Sequence, residues 1–574
     1  MATWNLKHIY DPMERDDLIK ALREKVEKFK EHRPRLSKDM PEREFLNIIR
    51  DDEEISRICS RLSARAGLML AEDTRDSKRT AHEAHVSQLC TEVGNDTMFF
   101  GLWFKDLPDD TASLLIAAAG QYGYMLERVR AFRQYTLGEK EERIISLKDL
   151  TGGESLTRVY DIVTNGFKFK VAGRSLTYDE VAKLKMSPKR KTRVNAYDVV
   201  FDSYAEHEGV LGEIYRSIVN DFRNENVTIR GFKDPMEPIN LGNDLTQEVV
   251  DSLLQVIRGN RRLFQKYLRL KADVCGLARF DRYDLYAPYA KIEKRYSFEK
   301  SREMVLEVYE SFDKQAYDMA RRVLTERHVH SDVKSNKQRG AFCHAVTRGM
   351  TPYVLLNHTG RLDDVYAMMH EFGHAVHNMA AAGETEFTYV ASLPLAETAS
   401  LFSEMLLTDR LLNDMPQEEQ SALLVRMLDN QFASIMRQAY FILFEREAHR
   451  RIPDGATTVE LDGMYLSGLR EQFGRVHVPD VFSHEWKCIQ HIYYHPFYCY
   501  SYAFGNLLVL SLYRLYKHDP ADFTPRYMRL LALGGSKSPK DILSEVGLNV
   551  ADPGFWQSGF DMIGQEMKLL KSIN

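Results

Sequence analysis

Five consecutive residues, His370-Glu371-Phe372-Gly373-His374, form the pattern in this chain best suited to chemistry. On a helix, histidines at i and i+4 project from one face, a turn apart. Two imidazoles so placed can hold one Zn²⁺ and leave room for a third protein ligand and a water. Glu371 follows His370 round the helix, so its carboxylate can lie over the open position and accept a proton from that water. Val365, Met368, Met369, Phe372, Ala375 and Val376 surround the polar triplet, which predicts a buried helix. Burying two imidazoles and a carboxylate without partners is costly, and a metal ion offsets that cost.

With 18 His in the chain, H-E-x-x-H arises by chance in roughly a few per cent of sequences this long, so a third ligand must support it. The longer metzincin pattern requires Gly at 377 and His at 380, and the chain carries His377 and Ala380 there. Glu397, in Leu395-Ala396-Glu397-Thr398-Ala399-Ser400, lies 397 − 374 = 23 residues beyond His374. That gap suits a turn and a second helix packed against the first. Two His and one Glu with one position open make a hydrolytic zinc site. Glu404, seven residues past Glu397 (404 − 397), falls on a similar helical face and can orient a ligand imidazole.

The elements that must hold these groups are mostly helical. Residues 16–148 read as consecutive helices, with a stripe in 112–132 formed by Leu115, Ala118, Ala119, Tyr122, Met125, Leu126 and Val129. His82-Glu83-Ala84-His85 has i, i+3 spacing and no third ligand, so it reads as a solvated helix face. The alternation Phe167-Lys168-Phe169-Lys170-Val171 predicts a short strand, and the basic run 185–193 around Pro188 reads as a solvated linker between lobes spanning 1–185 and 186–574. Helices resume over 210–222, 249–270 and 298–324. Just before the motif, 337–344 and 352–357 read as two short strands, of which Gly340 to Cys343 can pair with an extended peptide.

Farther on, His491-Ile492-Tyr493-Tyr494-His495-Pro496-Phe497-Tyr498-Cys499-Tyr500-Ser501-Tyr502 holds more phenols and imidazoles than packing requires, since each buried one needs a partner. Donors of this kind can stabilise the oxyanion of a tetrahedral intermediate.

Composition excludes several classes. The formal charge is −5 without a basic block, which argues against a nucleic-acid partner. The start lacks an apolar signal core, and no run approaches the length of a membrane span, the best candidate, 507–512, being far too short. Six scattered cysteines with no C-x-x-C pair point to a reducing cytoplasm rather than a disulfide framework.

Assembled in order, these residues resemble the oligoendopeptidase F branch of the thimet-type zinc oligopeptidases. The resemblance rests on Arg339-Gly340-Ala341-Phe342, Pro352-Tyr353-Val354-Leu355-Leu356-Asn357, Asp364-Val365, the motif itself with Ala375-Val376-His377, and Glu397-Thr398-Ala399-Ser400. It continues through Pro496-Phe497-Tyr498, Tyr502-Ala503, Gly534-Gly535-Ser536, Pro539 and Phe555-Trp556. It implies a mostly α fold of two lobes flanking a deep channel, with a small β-sheet beside the zinc helix. It also implies one Zn²⁺ per chain on His370, His374 and Glu397, with Glu371 as general base. Tyr502 with His491 or His495 would be donors to the substrate carbonyl, and Gly340, Ala341, Phe342 and Tyr498 would contact substrate. The chain departs from the family pattern at Cys499 and Phe504.

The expected function is that of a cytoplasmic zinc endopeptidase acting on oligopeptides, with the oligomeric state open. The alternatives are a carboxypeptidase or dipeptidyl carboxypeptidase using the same zinc chemistry, or a non-catalytic peptide-binding scaffold.

Overall fold

Apolar periodicity of 3.6 dominates the chain, and helices dominate the computed structural model, which describes residues 3–289 and 294–574. The chain divides into two units, each assembled from three separate segments. One comprises Met1–Arg133, Glu293–Asn413 and Leu515–Leu548; the other comprises Gln134–Ile292, Asp414–Arg514 and Asn549–Asn574. The linear division at 185/186 cuts the chain differently, because 134–292 runs through that position within one unit.

In the first unit, helices Arg15–Lys30, Glu42–Glu72 and Ser77–Thr97 pack with one another. Their core of Leu22, Val26, Phe29, Phe45, Ile48 and Ile49 reaches Tyr353 and Leu355 of a three-stranded sheet. The stripe in 112–132 is not one helix. Gly120, at φ +57, ends Asp109–Ala118, and a new helix runs over Gly123–Ala131. A residue in that left-handed region cannot continue a right-handed helix.

Tyr353–Leu355 is the central strand of the sheet, parallel to Val329–His330 and antiparallel to Phe342–His344. Phe342 faces Leu355, and Cys343 faces Val354. The strand therefore starts at Phe342, later than the reading from Gly340. Gly340 (φ +80) and Ala341 lead into it through a bend. Asn357 Nδ2 donates to the carbonyls of Gln338 (2.9 Å) and Gly340 (2.8 Å), pinning that bend beside the sheet.

Helix Leu362–Ala380, which carries the motif, begins after Gly360. Asp364 accepts from the backbone N–H of Thr359 (2.7 Å) and Arg361 (2.9 Å), while Asp363 and Asp364 place negative charge at the helix N-terminus. Helices Phe298–Phe312, Lys314–Thr325 and Pro520–Ala532 pack against it.

The second unit is also helical, apart from the hairpin Phe169–Val171 with Arg174–Leu176, turned by Ala172 (φ 49) and Gly173 (φ 79). Here the reading of 185–193 as a solvated linker holds for the exposed Lys189 and Lys191 but fails for Lys185, Arg190 and Arg193. Lys185 Nζ lies 4.9 Å from the centre of the Tyr197 ring and 5.1 Å from that of Tyr178. Arg193 is fully buried and bonds Asp284 at 2.6 Å, while Arg190 pairs with Asp281 and Asp284. The acids that neutralise this basic run lie some ninety residues downstream, so no local pattern could show them. A second buried network joins Glu485 to Arg282 (2.6 Å) and Arg437 (2.9 Å). Removing one partner of such a buried ion pair costs about 3–5 kcal/mol.

Candidate active site

The two motif histidines occupy the third and fourth turns of Leu362–Ala380, on the face turned toward Glu397. Glu397 caps the four-residue helix Leu393–Ala396 and precedes helix Thr398–Asp414. Glu397 Oε2 lies 3.2 Å from His370 Nε2 and 3.5 Å from His374 Nε2. The rings stand 4.9 Å apart and nearly perpendicular, at 82°. Each secondary bond fixes one of these three side chains. Glu404 Oε1 is 2.6 Å from His370 Nδ1, Ser400 Oγ donates to Glu397 Oε2 at 2.7 Å, and His374 hydrogen-bonds the Ala396 backbone. Outer partners of this kind set the tautomer and direction of a ligand imidazole.

Electrostatics separate the two histidines. Burial opposes charge on His370, but the hydrogen bonds to Glu397 and Glu404 overcome it and lift the ring to about 10. His374 lacks a second carboxylate, and burial takes it down to about 4. Burial would raise Glu397, yet the His370 hydrogen bond and the nearby imidazoles hold it at about 2. Two carboxylates thus draw a positive charge to the point where the three donors converge, and a divalent cation would bring the same sign there. The donor set of two nitrogens and one carboxylate oxygen suits zinc.

Glu371 has a hydrogen-bond partner of its own. It is 7% exposed, accepts a hydrogen bond from the Cys343 backbone, and is pushed by burial up to about 7. The carboxylate between the two imidazoles in sequence therefore sits against the edge strand Phe342–His344 rather than pairing with a base.

One contributor escaped the sequence reading. A Cβ on Gly373 would come within 2.5 Å of Ser400 Cα, 2.6 Å of Ala399 O and 2.8 Å of Ala399 C. Gly373 thus lets the backbone after Glu397 touch the motif helix, and the carboxylate reaches both imidazoles from there. A glycine in a helix interior costs about 1 kcal/mol relative to alanine, and that penalty was the available signal. Gly534 and Gly535 act similarly on the intervening chain. Gly535 N–H donates to Thr388 O at 2.7 Å, and a Cβ on Gly534 would meet Tyr389 O at 2.8 Å.

The Tyr/His run folds into helix Gln490–Tyr494, a turn, and helix Tyr500–His518. It brings His491, His495, Tyr498 and Tyr502 together. The His491 ring stacks on Tyr498 (5.9 Å, 6°), Tyr498 meets Tyr502 edge-on at 5.4 Å, and His495 lies 6.0 Å from Tyr498. Tyr502 Oη is 3.3 Å from His491 Nε2. Neighbouring tyrosines are committed to structure: Tyr493 to Leu211 O, Tyr494 to Asp161, and Tyr500 to Asn243. Phe497, at φ 59, makes the turn with its N–H donated to the buried Glu445 at 2.8 Å.

Among the described residues, two other groups could hold a metal by residue type. In Glu208, Asp462 and His484 the buried Lys487 ammonium already supplies the cation, 2.7 Å from Asp462 and 2.8 Å from His484. In the other, His8 and His328 lie nitrogen to nitrogen at 2.8 Å, and His328 Nδ1 donates to Thr351 O. His82 and His85 belong to neither.

A sequence model described as Peptidase family M3 matches residues 183–562, and one described as Oligopeptidase F matches residues 103–169. The chain belongs to peptidase family M3, in its oligoendopeptidase F branch. It is 23% identical to an oligoendopeptidase F homolog of Lactococcus lactis subsp. lactis (strain IL1403), over 100% of this chain and 97% of that one. It is 24% identical to oligopeptidase PepF of Bacillus subtilis (strain 168), over 96% and 84%. Among solved structures, a Chlamydophila abortus protein described as a peptidase superposes with a TM-score of 0.90 at 22% identity, over 100% and 98% of the two chains. Oligoendopeptidase-F of Enterococcus faecium superposes with a TM-score of 0.71 at 19% identity, over 98% and 99%. The fold is that of these peptidases: mostly helix with small sheets. Membership in the M3 family supports an oligopeptidase with peptide substrates. No helix among the described residues is long and apolar enough to cross a membrane.

Proposed function

We propose that the chain is a zinc endopeptidase of short peptides, with His370, His374 and Glu397 holding one Zn²⁺ and Glu371 acting as general base. The observation that carries this reading is the single Glu397 oxygen facing both imidazole Nε2 atoms, at 3.2 and 3.5 Å. When bound, the ion supplies a Lewis acid for the scissile carbonyl and lowers the pKa of a water. Glu371 takes a proton from the attacking water and delivers it to the leaving amine. Tyr502 or its neighbour His491, 3.3 Å away, donates to the carbonyl oxygen as charge builds there. Among the described residues Phe342–His344 is an edge strand paired on one side, so an extended substrate can add to it. Gly340, Ala341 and Phe342 line that edge, and Tyr498 and His495 flank the donor pair. With all six cysteines free, a reducing cytoplasm is the proposed setting.

Peptides blocked at both termini provide the test, with products read by mass spectrometry. Internal cleavage that a chelator abolishes and added Zn²⁺ restores is expected. Chelator-resistant cleavage would remove the metal from the reading, and failure to cut blocked peptides while free ones are trimmed would establish an exopeptidase.

Two side-chain changes probe the supporting groups. Glu404→Ala frees His370 Nδ1 and is expected to weaken Zn²⁺ binding by roughly 10–100-fold, measured by competition with a chromogenic chelator. Unchanged affinity would reduce Glu404 to a packing role. Tyr502→Phe is expected to lower kcat by about 10²–10³-fold with little change in KM, as for loss of one oxyanion donor. Steady-state kinetics at full metal loading decide it, and an unaltered kcat excludes the phenol from the reaction.

A further inference from the structure

We propose that Cys59 and Cys90 are a peroxide-sensitive thiol pair, Cys90 the attacking sulfur and Cys59 the resolving one, joined on oxidation as a disulfide between two helices. Cys59 lies in Glu42–Glu72 and Cys90 in Ser77–Thr97, successive helices packed along their length. Across that contact Cys90 Sγ comes within 3.9 Å of the Cys59 backbone carbonyl, so the two cysteines are direct neighbours. Both are partly exposed, so a small oxidant can reach them.

The surroundings make the two sulfurs unequal. Cys90 Sγ has Ser63 Oγ at 3.4 Å, a donor that favours its thiolate. In its thiol form it can instead donate to the Cys59 carbonyl, at 3.9 Å. Cys59 faces the negative charge of Asp52, seven positions back on its own helix, which opposes ionisation. Consistently, hydrogen bonding holds Cys90 below the usual thiol range despite burial. Burial raises Cys275, Cys343, Cys488 and Cys499, and the Ser63 hydroxyl beside its sulfur singles out Cys90. The thiolate is the nucleophilic form of cysteine.

The chemistry uses a hydroperoxide as oxidant. The Cys90 thiolate attacks one peroxide oxygen and the O–O bond breaks. The departing oxygen leaves as hydroxide or alkoxide and takes a proton from solvent, while Cys90 becomes a sulfenic acid. The Cys59 sulfur then attacks Cys90 Sγ, the S–S bond forms, and the S–O bond breaks. The hydroxyl leaves as water with the Cys59 proton. Two thiols are oxidised by two electrons, and one peroxide is reduced.

Treating the full-length protein with hydrogen peroxide and digesting it without reductant tests the proposal. A Cys59–Cys90 cross-linked peptide is expected, about 2 Da lighter than its two parts and reversed by dithiothreitol. In Cys59→Ser, dimedone is expected to capture a sulfenic acid at Cys90; in Cys90→Ser, Cys59 is expected to stay largely unlabelled. For the untreated wild type, iodoacetamide is expected to modify Cys90 faster than Cys59, a readout that needs no variant. Oxidation of the folded protein without the cross-link would overturn the pairing. Faster labelling or alkylation at Cys59 would overturn the assignment of roles.

Discussion

Glu371→Gln is expected to lower kcat/KM by about 10²–10⁴-fold, the range for a positioned general base, while Zn²⁺ content stays at one per chain. The argument turns on separation of tasks within five residues. His370 and His374 face Glu397, whereas Glu371 projects toward the edge strand, where the Cys343 backbone N–H holds its carboxylate. Amide for carboxylate preserves size and can still accept from Cys343, so the helix, the strand and the three donors keep their places. What disappears is a group able to take a proton from water and return it. Burial raises Glu371 to about 7, and a neighbouring divalent ion would favour the ionised base. Metal analysis together with steady-state kinetics on a blocked peptide separates the outcomes. Substantial turnover in a fully loaded variant would remove Glu371 from its role, and loss of metal would show that it acts on the ligand set instead.

Legibility in the sequence followed the range of the interactions. The motif helix was readable because its information is local: i, i+4 spacing, an apolar surround, and Asp363-Asp364 at the N-terminus. Glu404 was readable from helical phase, and the structure places it 2.6 Å from His370. The strands at Phe342 and Tyr353 announced themselves through their small and β-branched neighbours. Their parallel partner Val329–His330 did not, since two residues give no alternation to detect. Arg193 and Asp284 are 91 positions apart, and a buried pair at that separation looks like surface charge until the fold closes. Within the aromatic run, composition showed an excess of polar rings but could not divide them. Tyr493, Tyr494 and Tyr500 hydrogen-bond Leu211, Asp161 and Asn243 in distant segments, while His491, Tyr498 and Tyr502 contact one another.

Gly373→Ala is expected to impair the site as severely as loss of a ligand, although it removes no functional atom. Alanine is the better helix former by about 1 kcal/mol, so local propensity alone predicts stabilisation. Sterics predict the reverse, because the new methyl would lie 2.5 Å from Ser400 Cα and 2.6 Å from Ala399 O. Both obstacles are backbone, and no rotamer change can relieve them. The motif helix and the chain beginning at Glu397 must move apart, at an overpacking cost of about 1–3 kcal/mol. The displacement falls on the 3.2 and 3.5 Å approaches of Glu397 to the imidazoles. A misplacement of about 1 Å in a catalytic site costs on the order of 10²-fold in rate, and a shifted carboxylate weakens metal binding in addition. Gly463→Ala, in helix Thr458–Phe473 with nothing within 4 Å of its Cβ, is the matched control, expected to be neutral or slightly stabilising. Circular dichroism, Zn²⁺ affinity and kcat/KM measured on both variants distinguish a local from a global effect. A Gly373→Ala protein with wild-type metal affinity and turnover would show that the two segments are not held together by the absence of that side chain.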